Sequence, residues 1–367
     1  MSLQIGIVGL PNVGKSTLFN ALTRAHATVA SYPFTTIDPN VGVVEVPDRR
    51  LQDVAAIVRP EEVKATTIEF VDIAGLVQGA HQGEGLGNQF LGHIRNVDAI
   101  AMVVRCFQDP DVAHVTAELD PLADIDVIDL ELILADLGTV ERRVEKVRSS
   151  AKAQPKVYAA ELELLARLQA HLEGGHAAAS FAPIDEEREL LAPLTLLTAK
   201  PRLYVANVSE EDLPDGGDLA ARVVERARLE GARSVILCAQ CEADLCDWSE
   251  DEAAEYRAEL GLQAPGLDRL IEASYQLLDL ITFFTATGTK VVRAWTLQRG
   301  QSVLEAAGMI HTDMQKGFIR AEVVSYPDLM QAGDFAAARE RGWLRLEGRD
   351  YPVQDGDVIH IRFSPPR

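Results

Sequence analysis

The sequence predicts an α/β fold in which a sheet domain is interrupted by a helical arm and followed by a small β-rich α+β domain. Short apolar strands alternate with helical patterns on both sides of the arm, which is typical of a parallel sheet with crossover helices. In the arm, apolar positions recur every three or four residues and no strand intervenes. The predicted boundaries are residues 1–125 and 200–280 for the sheet domain, 126–199 for the arm and 281–367 for the C-terminal domain.

The first apolar strand leads into a glycine-rich loop with the pattern G-x-x-x-x-G-K-S. The loop runs from Gly9 through Gly14 and Lys15 to Ser16, and a helical pattern follows it. This strand, loop and helix are the context that a phosphate-binding loop requires. The glycines let successive N–H groups point inward, and the helix N-terminus adds partial positive charge. We therefore expect Lys15 to reach the outer phosphates and the Ser16 hydroxyl to ligate Mg²⁺.

Two further segments are expected to complete the magnesium site. Residues 27–40 show neither helix nor strand periodicity, and Thr35 or Thr36 could join the Mg²⁺ shell when the outermost phosphate is present. A plain polar loop is the alternative reading of that segment. The strand at residues 66–71 ends in a D-x-x-G motif, in which Asp72 would hold Mg²⁺ through water and the Gly75 amide would sense the γ-phosphate.

The group that would activate water for hydrolysis is not evident from these motifs. Leu76 stands where Ras-like enzymes place a glutamine, and a leucine cannot position water by hydrogen bonding. His81 lies in the following glycine-rich run and could act on water, although an exposed loop histidine is more often inert. His114 follows the strand at residues 99–104, and the residues alone do not favour it over His81 as the group that acts on water.

The purine-reading motif departs from the guanine-specific pattern N-K-x-D. The strand ending at Ala206 runs into Asn207-Val208-Ser209-Glu210, so valine replaces the lysine and the longer glutamate replaces the aspartate. Both changes should weaken guanine selection, by about 1 to 3 kcal/mol per misplaced bidentate contact if base-edge pairing is a guide. The Asn207 amide can pair with adenine N6 and N7. The hypothesis is an ATPase; the alternatives are a translation-type GTPase that still accepts guanine and a nucleotide-gated binding protein with negligible turnover.

Composition narrows the possible partners and locations. The chain has 367 residues and a net charge of −21, which argues against diffuse adhesion to nucleic acid or anionic lipid, and so against a membrane or specific DNA as partner. Residues 281–367 carry eleven basic and ten acidic side chains, so a polyanion is expected to meet that segment first. No apolar run reaches the length of a membrane span, and the short first run does not resemble a signal peptide, so we expect a cytoplasmic protein.

Other features have open interpretations. Cys238, Cys241 and Cys246 lie close together, but only Cys106 remains as a fourth thiol and no histidine has ligand spacing, which disfavours structural zinc. The arm consists either of packing helices or of a partner-docking element. The C-terminal domain contains a set of side chains that could either contact RNA or be scattered surface residues of a packing domain. They are Trp295, Arg299, Lys316, Arg320, Arg345 and Arg349.

Together these motifs resemble the YchF family of Obg-related P-loop NTPases, the Obg-like ATPases. The resemblance covers nearly the whole chain and rests on G-L-P-N-V-G-K-S-T, on the D-x-x-G segment, on G-x-G-L-G-N ending at Asn88, on Asn207-Val208-Ser209-Glu210, and on segments 32–40, 292–296 and 310–319. It implies a Ras-like, Obg-type nucleotide domain with an inserted coiled-coil-like arm and a C-terminal TGS domain. It also implies slow ATP hydrolysis with Mg²⁺, GTP being less favoured, and association with the ribosome through rRNA or ribosomal protein.

The resemblance also assigns roles to individual residues. It implies that the phosphates are surrounded by Asn12, Val13, Gly14, Lys15, Ser16 and Thr17, and that Mg²⁺ is held by Ser16 and Thr36. Asn207 and the Val208 backbone would meet adenine. His114 falls where the family keeps a histidine proposed to replace the missing glutamine, so Lys15 and His114 are the expected catalytic residues. Gln240 and Cys241 occupy a variable part of the base loop.

Overall fold

The computed structural model describes residues 3–26, 41–73, 86–109, 119–288 and 290–364. The chain forms two compact units: one contains residues 3–42 and 69–270, and the other contains residues 43–68 and 271–367. Residues 43–68 therefore belong to the second unit, although the sequence had led us to expect them in the nucleotide domain. The C-terminal domain is thus built from two separate stretches of chain.

The described residues form α-helices and β-strands in the following order. In the first half of the chain these are β1 (Gln4–Val8), α1 (Lys15–His26), β2 (Val41–Glu45), α2 (Arg49–Val58), β3 (Glu62–Lys64), β4 (Thr67–Asp72), α3 (Leu86–Asn96), β5 (Ala99–Arg105), α4 (Pro121–Ala151), α5 (Pro155–Glu173) and α6 (Asp185–Leu191). In the second half they are β6 (Arg202–Asn207), α7 (Gly217–Glu230), β7 (Arg233–Leu237), α8 (Ala239–Leu245), α9 (Glu250–Glu259), α10 (Gly266–Leu277), β8 (Leu280–Thr287), β9 (Val291–Gln298), α11 (Val303–Ile310), α12 (Thr312–Lys316), β10 (Phe318–Ser325), α13 (Tyr326–Ala332), α14 (Phe335–Glu340), β11 (Arg345–Glu347) and β12 (Asp357–Phe363).

The first sheet has the strand order β2-β4-β1-β5-β6-β7. Its strand pairs β1–β4, β1–β5, β5–β6 and β6–β7 are parallel. Every residue of β5 is buried, which agrees with the continuous apolar run expected for a central parallel strand. The carboxyl ends of parallel strands share one edge of a sheet. The phosphate loop after β1, Asp72 at the end of β4, Asn207 at the end of β6 and Cys238 after β7 therefore meet at that edge.

The arm is a hairpin of the two long helices α4 and α5, as predicted. Helix α4 begins at Pro121, five residues before the expected boundary, and Asp120 caps it by accepting a hydrogen bond from the Leu122 N–H at 3.1 Å. Buried valines of α4 pack against buried leucines of α5, including Val140, Val144, Val147, Leu165, Leu168 and Leu172. Leu130 fits the same periodicity but is 54% exposed.

No described helix, the 31-residue α4 included, has the length and apolar content that crossing a membrane requires.

The second unit is built on a sheet with the order β11-β10-β12-β8-β9-β3. Helices α11 and α12 cover one face of this sheet through Val303, Ala306 and Ala307, with Met314 beside them. The other face packs against α2, α13 and α14, and Leu51 and Val54 of α2 are fully or nearly fully buried there. Strand β3 pairs in parallel with β9, Glu62 opposite Val291. This architecture confirms the small β-rich α+β domain that the sequence predicts.

Candidate functional site

The phosphate loop encloses the lysine of the G-K-S signature. Lys15 is the first residue of α1, only 7% of it is exposed, and its Nζ donates to the Leu10 carbonyl at 2.7 Å. Burial lowers the pKa of Lys15 to about 8, while the nearby Asp72 carboxylate acts in the opposite direction. A phosphate entering the loop would supply the negative charge that favours the ammonium form.

Two loop positions can hold only glycine. Gly14 has φ +94°, and a Cβ there would lie 2.3 Å from Nδ2 of Asn207. At Gly9 a Cβ would lie 2.5 Å from the carbonyl oxygen of Val103, a backbone atom of β5 that cannot move aside. The loop therefore packs directly onto β5 and onto Asn207, and the absence of side chains permits that approach.

The predicted magnesium ligands that the structure describes lie together. The Ser16 hydroxyl, at the start of α1, donates to Oδ2 of Asp72 at the end of β4 over 3.2 Å. A hydroxyl and a carboxylate are the hard oxygen donors that Mg²⁺ takes, so this pair fits the ion. Among the described residues, no group of three or more His, Cys, Asp or Glu side chains could hold a metal by itself. Thr36 and Gly75, the other predicted members, lie outside the described residues.

Asn207 joins the phosphate loop to the base end of the site, which is the end where the purine would bind. Its Nδ2 donates to the Val13 carbonyl at 2.9 Å, and its Oδ1 accepts from the Ala239 N–H at 2.9 Å. Asn207 is 4% exposed. This differs from the expected bidentate pairing of Asn207 with adenine N6 and N7, because each polar group of the amide already has a partner in the protein. Asn207 joins β6, the phosphate loop and α8, and a contact with adenine would have to use a remaining N–H or lone pair.

A cleft of about 480 Å³ runs from the phosphate loop to the ends of β6 and β7. Its phosphate end contains Asn12, Gly14, Lys15, Ser16 and Thr17, and its other end contains Phe107, Asp109, Asn207, Val208, Ser209, Glu210, Cys238, Ala239, Gln240 and Cys241. Val13 is 1% exposed behind the loop. Val208 is also buried, and its N–H donates to the Leu237 carbonyl at 2.9 Å, so it supplies an apolar wall where GTPases have a lysine stem.

The two cysteines at the base end are protonated thiols. Burial raises the pKa of Cys238, and burial raises the pKa of Cys241 to about 12. Cys238 lies at the N-cap of α8, and its Sγ accepts from the Cys241 N–H at 3.4 Å. These thiols are therefore themselves uncharged where they line the cleft.

Several candidates cannot be placed, and two residues were missed. His114, Leu76 and His81 lie outside the described residues, so the water-activating group stays a prediction. The sequence analysis did not identify Phe107, which lines the cleft, or Tyr256 of α9, whose hydroxyl donates to Glu210. No local motif marks either residue, since each is brought to the site by packing.

The chain is similar to known proteins over nearly its whole length. A family model described as 50S ribosome-binding GTPase matches residues 4–147, and the model YchF-GTPase_C, described as a protein of unknown function, matches residues 280–364. A protein of Bacillus subtilis (strain 168) named ribosome-binding ATPase YchF is 52% identical and is aligned over 99% of this chain and 100% of its own. Its namesake from Haemophilus influenzae is 50% identical, with the same coverage. The solved structure of the Schizosaccharomyces pombe YchF GTPase superposes with a TM-score of 0.88 at 34% identity, covering 98% of each chain.

Proposed function

The chain belongs to the YchF family of P-loop NTPases, and from that premise we propose that it is a switch-type ATPase that binds ATP with Mg²⁺, hydrolyses it slowly and associates with the ribosome. One observation carries the preference for ATP. The cleft that holds Lys15 and Ser16 at one end has Val208 at the other, where guanine selection needs a lysine, and a glutamate in place of the aspartate. Ribosome association rests on the names of the relatives and, for this chain, on a charged surface described below.

Within this proposal, phosphoryl transfer to water depends on charge stabilisation rather than on covalent chemistry. Lys15 and the backbone N–H groups of residues 12–17 would face the β- and γ-phosphates. Ser16 and Asp72 would hold Mg²⁺, with Thr36, and the ion would neutralise charge that develops on the phosphate oxygens. Gly75 would report the γ-phosphate. Leu76 leaves the attacking water without a glutamine, which accounts for slow turnover, and His114 is the proposed replacement.

Paired affinity measurements test the nucleotide preference. We expect the wild-type chain to bind Mg²⁺-ATP more tightly than Mg²⁺-GTP when both compete with a fluorescent analogue. The double variant Val208→Lys, Glu210→Asp restores the guanine-reading pattern and should move the preference toward GTP. Tighter binding of GTP by the wild-type chain would contradict the proposal and support the GTPase alternative.

Single-turnover hydrolysis separates the enzyme from a nucleotide-gated binding protein. We expect His114→Ala to slow hydrolysis without weakening ATP binding, because a water-positioning group acts on the chemical step. His81→Ala is measured alongside, because His81 is the other histidine that the sequence offers for acting on water. Equal and negligible rates for the wild-type chain and the His114 variant would favour the binding protein.

The tip of the arm, residues 142–156, is the surface we propose for ribosome contact. This segment holds six Lys and Arg against one Glu, a net +5 in a chain whose net charge is −21. Lys146, Arg148, Lys152 and Lys156 are all exposed. Concentrated positive charge at the end of a long hairpin fits the phosphate backbone of rRNA. The C-terminal domain carries a net charge of only +1, so its attraction for a polyanion is weaker than that of the arm tip.

Charge reversal discriminates between these two routes. We expect Lys146→Glu with Lys152→Glu to reduce co-sedimentation with ribosomes and to flatten its dependence on salt. The matched pair Lys316→Glu with Arg320→Glu, on the exposed surface of the C-terminal domain, should have a smaller effect. Point variants are preferable to truncation at residue 281, because residues 43–68 pack against that domain. Loss of binding only in the second pair would overturn the assignment to the arm. A ribosome-associated protein of this kind would be cytoplasmic.

A further inference from the structure

A tyrosine outside the cleft holds the carboxylate at its base end. Tyr256, on α9, donates its hydroxyl to Oε1 of Glu210. This hydrogen bond raises the pKa of Tyr256 to about 12, so the hydroxyl keeps its proton and remains a donor. The Tyr256 ring also packs against Trp248, with ring centroids 5.2 Å apart. The hydroxyl is therefore held in place both by the ring contact and by its acceptor.

Glu210 lies where its carboxylate can affect which purine the cleft binds. It lines the cleft that contains the phosphate loop, and its charge contributes to the raised pKa of both Cys238 and Cys241 at the base end. It stands in the sequence where guanine-specific P-loop proteins carry an aspartate. Its side chain is one methylene longer, so its carboxylate can reach outward to α9 as well as toward a bound base.

The two purines place opposite demands on a carboxylate at this position. Guanine presents N1–H and an N2 amino group, both donors that a carboxylate accepts. Adenine presents an unprotonated N1, whose lone pair repels a carboxylate, and a C2–H that offers no strong donor. A carboxylate free to swing into the base plane therefore favours guanine and disfavours adenine, and specificity is the difference between those two affinities.

We propose that Tyr256 is a specificity-determining positioning residue, because its bond to Glu210 keeps that carboxylate away from the purine edge and so makes the cleft accept adenine. The inference rests on the proposed function, in which ATP is the preferred nucleotide. It explains why replacing an aspartate by a glutamate at this position, a conservative change in charge, can reverse nucleotide choice. The glutamate is long enough to be tethered at a distance, whereas an aspartate is one methylene shorter.

A double-mutant cycle on nucleotide affinity tests the proposal. Mg²⁺-ATP and Mg²⁺-GTP affinities are measured for the wild-type chain, Tyr256→Phe, Glu210→Ala and the double variant. Phenylalanine keeps the ring against Trp248 and removes only the donor. We expect Tyr256→Phe to shift the ATP-to-GTP affinity ratio toward GTP by at least about fivefold, equivalent to roughly 1 kcal/mol. In the Glu210→Ala background the same change should leave the ratio unaltered.

The control is a tyrosine in the second unit that makes the same kind of bond. Tyr326 donates its hydroxyl to Oδ2 of Asp53 at 2.6 Å, and Tyr326→Phe should leave the nucleotide ratio unchanged. An unchanged ratio in Tyr256→Phe would overturn the proposal, as would an equal shift with and without Glu210, which would indicate a packing effect. The shift is defined relative to the wild-type ratio. The wild-type affinities alone test the proposed function, which a preference for GTP would refute, whereas the change in the ratio on Tyr256→Phe tests the role of Tyr256.

Discussion

Asn207 holds the phosphate loop in place and, through the same hydrogen bonds, contributes to the stability of the first unit. Asn207→Ala removes two hydrogen bonds and leaves the Val13 carbonyl and the Ala239 N–H without those partners. Val13 and Ala239 are each 1% exposed, so water cannot readily replace the lost groups. Each buried polar group left unsatisfied costs about 1 to 3 kcal/mol, which gives a combined loss of about 2 to 6 kcal/mol.

That loss is large compared with the free energy of unfolding of a typical domain, which is roughly 5 to 15 kcal/mol. Urea unfolding of the first unit should show it directly, and affinity for Mg²⁺-ATP should fall as well, because the phosphate loop is no longer held to β6 and α8. Asn20→Ala, at an exposed position of α1, provides the control and should change unfolding little. An unfolding free energy within about 0.5 kcal/mol of the wild-type value in Asn207→Ala, the usual range for surface substitutions, would refute this role of Asn207.

Three further predictions concern other parts of the molecule. The pKa of Lys15 in the free protein is about 8, and a bound triphosphate would raise it, so binding takes up a proton above that pH. Titration from pH 7.5 to 9.5 should therefore show a Mg²⁺-ATP affinity that is constant below about pH 8 and then falls by up to tenfold per pH unit. Leu51→Ala should destabilise the second unit by about 2 to 5 kcal/mol in thermal unfolding, whereas exposed Gln52→Ala should not; equal effects would argue against α2 as part of that core. Asp136 accepts hydrogen bonds from the Leu197 N–H at 2.7 Å and the Thr198 N–H at 2.9 Å. Asp136→Ala should therefore lower the free energy of unfolding by about 2 to 4 kcal/mol and speed hydrogen exchange at both amides, and unchanged exchange would contradict this.

Local signals predicted the elements that depend on neighbouring residues. The G-x-x-x-x-G-K-S loop, the D-x-x-G strand end and the hairpin of α4 and α5 are each encoded within one stretch of chain. Glycine at positions 9 and 14 and the period of three to four residues in the arm can each be recognised within one stretch of sequence, although the two glycines pack against the distant Val103 and Asn207. The sequence also indicated that Ser16 and Asp72 belong to one site, since each lies in a motif that predicts a magnesium ligand, and the structure brings the two side chains together.

Contacts between distant stretches of chain could not be predicted in this way. The pairing of β3 with β9 assigns residues 43–68 to the second unit, although those residues are separated from β9 by more than half of the chain. Asn207 is predicted to meet adenine, and no local signal indicated that its amide also holds the Val13 carbonyl and the Ala239 N–H. The bond from Tyr256 to Glu210 has no local signature either.

The amino-acid sequence by itself therefore determined the phosphate loop, the class of nucleotide chemistry and the helical arm, because a short run of residues specifies each of them. The tertiary structure alone decided which segments form the second unit, what the Asn207 amide binds and where the Glu210 carboxylate is held. Those outcomes depend on which surfaces pack together after the chain has folded, and a side chain's partners are set by that packing rather than by its neighbours in sequence.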